Sequence, residues 1–194
     1  MVAEANVGQD EGAISGIVPP QIGPFFDPVN HGDDSRITET INRIGQRFRN
    51  AINTQCIDCE KVRAMLQELG RALHGVQDLY AHSNFVEEYG RNAKTPDETP
   101  LWKFWQGDGN TPNVPPGVIT GTYRYPRDNA PSPSHLQLNK DAPDSLRGGQ
   151  RNPQGVSLFN QAGSVATRHT ERLGKYFYDN LTPQQRTKLM ECFK

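Results

Sequence analysis

One long stretch of helical periodicity, over residues 58–86, dominates the sequence. Its apolar side chains recur at steps of three and four residues, so they fall on one stripe of an α-helix. They are Val62, Leu66, Leu69, Leu73, Val76 and Tyr80. This is the strongest element in the sequence, and we expect it to form one helix.

Three more helices are predicted by the same kind of spacing. The first has Ser35 as its N-cap and carries apolar residues from Ile37 to Ile52 at steps of three and four. Another covers residues 158–176. A short last helix opens at Thr182-Pro183, where threonine caps the helix and proline takes its first position. Strand alternation and internal repeats are not convincing, so the fold class is mainly α with long loops.

Two stretches rich in proline and glycine surround these helices. We interpret residues 1–34 as an arm, and residues 35–194 as a single helical domain with a loop insert at 90–156. The insert holds 10 Pro and 8 Gly in 67 residues, yet it also concentrates aromatic side chains, unlike a disordered tail. They are Trp102, Phe104, Trp105, Tyr123 and Tyr125. We therefore expect the insert to be an ordered loop system.

Length and charge exclude several classes of protein. The 194 residues suit one domain with a real core. Because 21 Lys and Arg stand against 22 Asp and Glu, no basic field favours nucleic acid. No run of about 20 apolar residues predicts a transmembrane segment. Residues 1–12 are acidic and lack an apolar signal core, so we expect synthesis in the cytoplasm without a visible signal peptide.

The three cysteines do not form an even set of disulfides. Cys56 and Cys59 make the only C-x-x-C motif, which is either a redox pair or a plain pair near the start of a helix. The absence of a βαβ pattern around it favours the plain pair. The redox states of these two residues and of Cys192 stay open.

His74, Asp78 and His82 are spaced four residues apart on the strongest helix. At 3.6 residues per turn, each step of four drifts by only about 40°, so the three polar groups lie along one narrow stripe. Imidazole and carboxylate groups placed in this way can hold one metal ion or bridge two. The alternative is a row of polar groups at the helix border, each bonded to its neighbours.

The other three histidines occupy helices or adjacent loops. His31 stands just before the first predicted helix, and His135 lies in the insert with Asp141 close behind it. Each is also typical of a solvated surface histidine. His169 falls on the apolar stripe of the third helix, where it is either a ligand or a core histidine bonded to the backbone. Taken together, five histidines with nearby acids favour a polynuclear metal site.

The run from Leu69 to Glu87, LGRALHGVQDLYAHSNFVE, closely resembles the signature of the Het-C heterokaryon-incompatibility family, whose bacterial relatives include toxin domains. The segment NHGDD at residues 30–34 looks like the early His-x-Asp element of that family, and residues 135–141 look like its later His plus Leu-Asn-Lys-Asp element. The resemblance covers most of residues 25–180. It implies the all-helical bundle of zinc-dependent phospholipase C.

The resemblance also implies a set of metal ligands. His74 and His82 would be ligands, Asp78 would bridge two ions, and His31 would be the ligand from the early loop. His135 with Asp141 would match the later pair, although the spacing differs from that of the phospholipases. His169 completes the candidate ligands, and Asp33 is the candidate general base or additional ligand. Two or three divalent ions, zinc foremost, are implied. The chain shows no match to the N-terminal amino group that serves a third ion in the phospholipases.

The implied activity is hydrolysis of phosphodiesters in membrane phospholipids, by a toxin that acts at a membrane or is delivered to a target cell. An immunity or inhibitor protein is a possible partner. Trp102, Phe104 and Trp105 are either interfacial residues or core packing, and the uncharged stretch at 13–26 is another candidate for membrane contact. Two alternatives remain: a zinc nuclease of the same fold, and a non-enzymatic membrane-perturbing protein with a structural metal.

Overall fold

A computed structural model describes residues 28–107, 109–122 and 133–193. These residues form helices and loops, with isolated β-bridges but no strand among them, so the mainly α class is confirmed. The α-helices are α1 (Pro28–His31), α2 (Ile37–Asn53), α3 (Cys59–Ala81), α4 (Phe85–Tyr89), α5 (His135–Leu138), α6 (Leu158–Asp179) and α7 (Pro183–Cys192). A 3-10 turn at Pro96–Glu98 lies within the insert.

The long predicted helix is interrupted. Its start is capped by Asp58, whose side chain accepts a hydrogen bond from the Lys61 N–H, but α3 ends at Ala81. The prediction of a helix continuing to Val86 is therefore wrong. Residues after Ala81 pair with a distant loop instead, since the Asn84 N–H donates to the Ile119 carbonyl. A short helix, α4, then begins at Phe85.

Ser35 is not the N-cap of α2. Its φ is 58°, in the left-handed region, and its N–H donates to Oγ1 of Thr120 at 3.0 Å. Arg36 occupies the N-cap without a side-chain hydrogen bond. The cap prediction for α7 is confirmed, because Thr182 and Gln185 form a reciprocal capping box.

The core lies where α2 and α6 pack against α3. Gly75 permits a close approach of α2, because a Cβ there would lie 3.2 Å from Cγ1 of Ile44. The insert contributes Trp102 and Phe104, which are only 2% and 1% exposed. These two aromatic residues are core packing and not membrane contacts. Trp105 is half-buried and lines an open, mainly apolar cleft of about 370 Å³ between α2 and α6.

A disulfide joins two helix ends that are distant in the sequence. Cys59, at the start of α3, is bonded to Cys192, at the end of α7, across 133 residues of sequence. Cys56 keeps a free thiol. The C-x-x-C motif is therefore neither an internal disulfide nor a plain pair of thiols. Cys59 belongs to a long-range cross-link, and Cys56 has no disulfide partner.

Within the described residues, no helix combines the length and apolar character needed to cross a bilayer. The described part of the predicted arm consists of α1, a single helical turn, and a bend at Gly32 with φ of 70°. The stretch at 13–26, Tyr123 and Tyr125 lie outside the described residues.

Candidate metal centre

The helix α3 supplies the centre of a buried polar cluster. His74 and Asp78 are one turn apart on this helix, and His82 follows its last residue; all three are buried. The Nε2 atom of His74 lies 3.0 Å from Oδ2 of Asp78. The polar stripe that the spacing predicts is therefore present, and it faces the interior of the protein.

The turn α1 brings His31 to this stripe. The side-chain oxygen of Asn30 accepts hydrogen bonds from Arg43 at 3.0 Å and from Arg47 at 2.9 Å, so two arginines of α2 hold α1 in place. Gly32 then turns the chain tightly against α3, since a Cβ there would lie 2.8 Å from Cδ2 of Leu79. These contacts direct His31 towards Asp78.

Three donor atoms from His31, His74 and Asp78 form a compact triangle. Oδ2 of Asp78 lies 3.0 Å from Nδ1 of His31 and 3.0 Å from Nε2 of His74, and the two nitrogens are 3.4 Å apart. Ligands about 2.0–2.1 Å from a tetrahedral zinc ion lie roughly 3.3 Å from one another. The triangle thus has the dimensions of one face of a tetrahedral site, and this group can hold a metal ion.

The second oxygen of Asp78 faces His82. Oδ1 lies 3.8 Å from Nε2 of His82, and the same nitrogen is 3.5 Å from Oδ2 of Asp141. Asp141 is more than half exposed and accepts a hydrogen bond from the Asn139 side chain at 2.9 Å. Nδ1 of His82 is buried without a hydrogen-bonding partner among the described residues. The Asp78 carboxylate therefore stands between the triangle and a second, looser group of donors.

His135 and Asp33 form a pair at the edge of the cluster. Nδ1 of His135 lies 3.0 Å from both carboxylate oxygens of Asp33, which is itself buried. The His135 ring packs on the His82 ring with centroids 4.2 Å apart. Gly121 makes room for this packing, because a Cβ there would lie 2.5 Å from Cα of His135. A carboxylate bonded to one imidazole nitrogen orients the other nitrogen, as metal sites and proton-transfer sites both require.

The electrostatics of the cluster suit a cation. Burial alone would raise the pKa of Asp78, but the charge of His74 and hydrogen bonds from His31 and His74 outweigh burial and hold this pKa below its ordinary value. Burial, reinforced by the charge of His135, lowers the pKa of His82 to about 3, so its imidazole is neutral. An ionised carboxylate and a neutral imidazole are the forms that bind metal.

Three other groups of the cluster bind protons more tightly than usual, because their pKa values are raised. Burial lowers the pKa of His31, but the hydrogen bond and charge of Asp78 outweigh burial and raise this pKa above its ordinary value. The pKa of His135 is raised in the same way by Asp33. Burial raises the pKa of Asp33, against the opposing effect of His135. A metal ion bound by His31 therefore has to displace a proton.

His169 does not join the cluster. Nδ1 of His169 lies 2.8 Å from the hydroxyl of Tyr80, which also accepts the Trp102 N–H at 2.9 Å. Tyr80 follows Asp78 by two residues, so it points about 200° away around α3. The His169 ring also packs on Phe104 in the core. His169 is thus a buried histidine with a hydroxyl partner, and its inclusion among the metal ligands is corrected.

Two residues that sequence reasoning missed support the cluster from outside. Asn30 holds α1 through the arginines of α2, as described above. Lys140 lies within the motif at 135–141, and its side chain is fully buried beside the α3–α4 junction. No periodicity indicates either role. The sequence signal for Lys140 is its position directly before Asp141, in the motif that also holds the predicted ligand His135.

The fold and the cluster together define a mainly α protein with a candidate metal centre of histidine and aspartate. Comparisons of the chain with protein-family models, with curated proteins and with solved structures find no match. The resemblance to the Het-C family therefore stays a prediction from the motifs. The same holds for the phospholipase C-like form of the bundle.

Proposed function

We propose that this protein is a metal-dependent phosphodiester hydrolase whose metal ion is held by His31, His74 and Asp78. The observation that carries the proposal is the buried triangle of donor atoms, with edges of 3.0 to 3.4 Å. Two imidazoles and a carboxylate are a ligand set that zinc accepts in catalytic sites, where a fourth position stays free for water or substrate.

The surrounding side chains support hydrolysis over a purely structural ion. A bound divalent ion would lower the pKa of a water and polarise a phosphoryl oxygen. Asp78 would orient ligands on both of its sides, with Oδ2 towards the triangle and Oδ1 towards His82. The Asp33 carboxylate pairs with Nδ1 of His135 at 3.0 Å, an arrangement that would let the two groups exchange a proton during hydrolysis. A structural site needs no such pair of proton-exchanging groups beside it.

The substrate class rests on the motifs at residues 69–87, 30–34 and 135–141. Their resemblance to the Het-C family supports membrane phospholipids as substrates, a toxin activity, and an immunity or inhibitor protein as partner. Among the described residues, one group has the geometry for a metal ion. The second and third ions, and the assignment of zinc, are likewise drawn from the resemblance.

Elemental analysis combined with a vesicle assay tests the proposal. Purified protein is expected to carry zinc or another divalent ion and to release soluble head group from phospholipid vesicles. His74→Ala and Asp78→Ala are expected to lose both. His169→Gln is the matched control, because it removes a buried histidine outside the cluster. Metal-free wild type, or head-group release that survives both substitutions, contradicts the proposal.

The same assays separate the two alternatives. Cleavage of single-stranded nucleic acid without lipid turnover would identify a nuclease. Leakage of vesicles without hydrolysis, and with bound metal, would identify a membrane-perturbing protein with a structural ion. Toxicity in cells measured for wild type and Asp78→Ala then shows whether killing requires the metal centre.

A further inference from the structure

Lys140 is a buried cation with a complete set of partners. Its side chain has an exposed fraction of 0%. The Nζ atom lies 2.6 Å from the Ser83 carbonyl, 2.8 Å from the Leu138 carbonyl and 3.2 Å from Oε1 of Glu87. An ammonium group has three protons to donate, and three acceptors surround this one. The arrangement is therefore a built clamp and not an incidental surface pair.

The clamp joins elements that are distant in the chain. Ser83 lies at the junction of α3 and α4, Glu87 lies in α4, and Leu138 ends α5. The backbone N–H of Lys140 also donates to the Ala81 carbonyl, the last of α3, at 3.1 Å. The backbone N–H and the side-chain ammonium of Lys140 thus both hold the segment at 138–141 against the end of α3.

Two residues of the candidate site lie in this segment or in the helix that leads into it. His135 begins α5, and Asp141 follows Lys140 directly. Both of these residues meet His82, which is the first residue after α3: one packs on its ring and the other faces its Nε2 atom. Any displacement of the segment from the α3–α4 junction would change both contacts at once.

We propose that Lys140 is a positioning residue of the metal centre, whose buried ammonium fixes His135 and Asp141 beside His82. This inference rests on the proposed function only in that the cluster binds metal. Burial of a charged group costs free energy that an apolar side chain of similar size would avoid. A role in placing the site explains why a lysine stands where methionine would fill the space.

The test compares Lys140→Met with a clamp of the same kind elsewhere. Gln185 of α7 is also buried, and its Nε2 donates to the carbonyls of Ile52 at 2.7 Å and Thr54 at 2.9 Å. Gln185→Met therefore removes a buried clamp of two backbone carbonyls outside the cluster. Thermal unfolding of both variants measures the general cost of losing such a clamp.

The decisive readouts are imidazole NMR spectra and zinc titration. We expect Lys140→Met to shift the ring resonances of His82 and His135, to leave those of His169 in place, and to weaken zinc binding roughly tenfold. Gln185→Met is expected to change none of these. If Lys140→Met leaves the His82 and His135 resonances and the zinc affinity as Gln185→Met does, the positioning role is overturned.

A second variant covers a failure of Lys140→Met to fold. Lys140→Arg keeps the charge, but guanidinium donors form a planar fork and do not radiate from one nitrogen. We therefore expect the ring resonances of His82 and His135 to shift in Lys140→Arg, while those of His169 stay in place. A folded Lys140→Arg protein with unshifted histidines would overturn the proposal.

These outcomes are separable from the fate of the hydrolase proposal. Wild type that binds zinc but hydrolyses no phosphodiester removes the proposed activity and leaves the zinc comparison valid. If wild type binds no zinc, the imidazole spectra of the metal-free proteins decide alone on Lys140.

Discussion

Nδ1 of His31 lies 3.0 Å from Oδ2 of Asp78, although 47 residues separate the two in sequence. The contact joins α1 to the buried face of α3 in the last turn of that helix. It converts a local stripe of polar residues on one helix into a three-sided site. The first two predictions depend on this contact.

Asp78→Asn is expected to abolish metal binding. The amide is neutral and presents only one oxygen, so it can neither balance the charge of a divalent ion nor serve both sides of the cluster. Isothermal titration with zinc should show a loss greater than the roughly 10–100-fold caused by removing an outer-sphere partner. The control is Glu68→Gln, a partly exposed carboxylate of α3 that pairs with Arg71, and zinc affinity equal to that of the control would contradict a ligand role for Asp78.

Zinc affinity should fall in mild acid. The pKa of His31 is raised above its usual value by Asp78 despite the opposing effect of burial, so a proton occupies the ligand nitrogen as pH falls through that pKa. Each proton displaced by the metal weakens apparent affinity about tenfold per pH unit. Titration at pH 8 and pH 6 should therefore show weaker binding at pH 6. Affinity that does not change between these two values would exclude His31 as a ligand.

His169 should make the folded protein less stable in acid. Burial, with a smaller contribution from the charge of Arg172, lowers its pKa to about 4 from an ordinary value of 6.5. The unfolded chain thus binds more protons between these values, so the contribution is intact above pH 6.5 and is lost as pH falls towards 4. Urea unfolding at pH 6.5 and pH 5 should differ by about 2 kcal/mol from this residue.

The control for this effect is His169→Gln, which has no titrating ring. Its free energy of unfolding should change less than that of wild type over the same pH range. Equal pH dependence in the two proteins would show that His169 does not contribute, and other buried histidines such as His82 would then account for any acid lability.

Loss of the disulfide should destabilise the fold strongly. Cys59 and Cys192 close a loop of 133 residues, and a cross-link of this length restricts the unfolded chain more than a short one does. Cys192→Ser is expected to lower the free energy of unfolding by about 2–5 kcal/mol. Cys56→Ser is the matched control, because Cys56 is unpaired and half-buried. Thermal unfolding in which both variants behave alike would contradict the cross-link.

Local periodicity was sufficient to predict the four longest helices, α2, α3, α6 and α7, although not the end of α3. The apolar stripe of α3 repeats every three or four residues, and the Thr182 cap acts on N–H groups within three residues of itself. These interactions lie within one or two turns of helix, so neighbouring residues specify them. The same logic predicted that His74 and Asp78 share one face of α3.

Contacts between distant segments determined the features of the fold and the site that local periodicity does not predict. The end of α3 at Ala81, the position of Ser35 and the surroundings of His82 all depend on the loop at 117–122 or on residues 133–141. His169 shows most clearly what a local sequence pattern cannot predict. Its place on an apolar stripe is compatible with a ligand or a core residue, and the nearby hydroxyl of Tyr80, 89 residues away, distinguishes them. A side chain's partner across the core has no fixed spacing in sequence, so only the packing of the helices selects it.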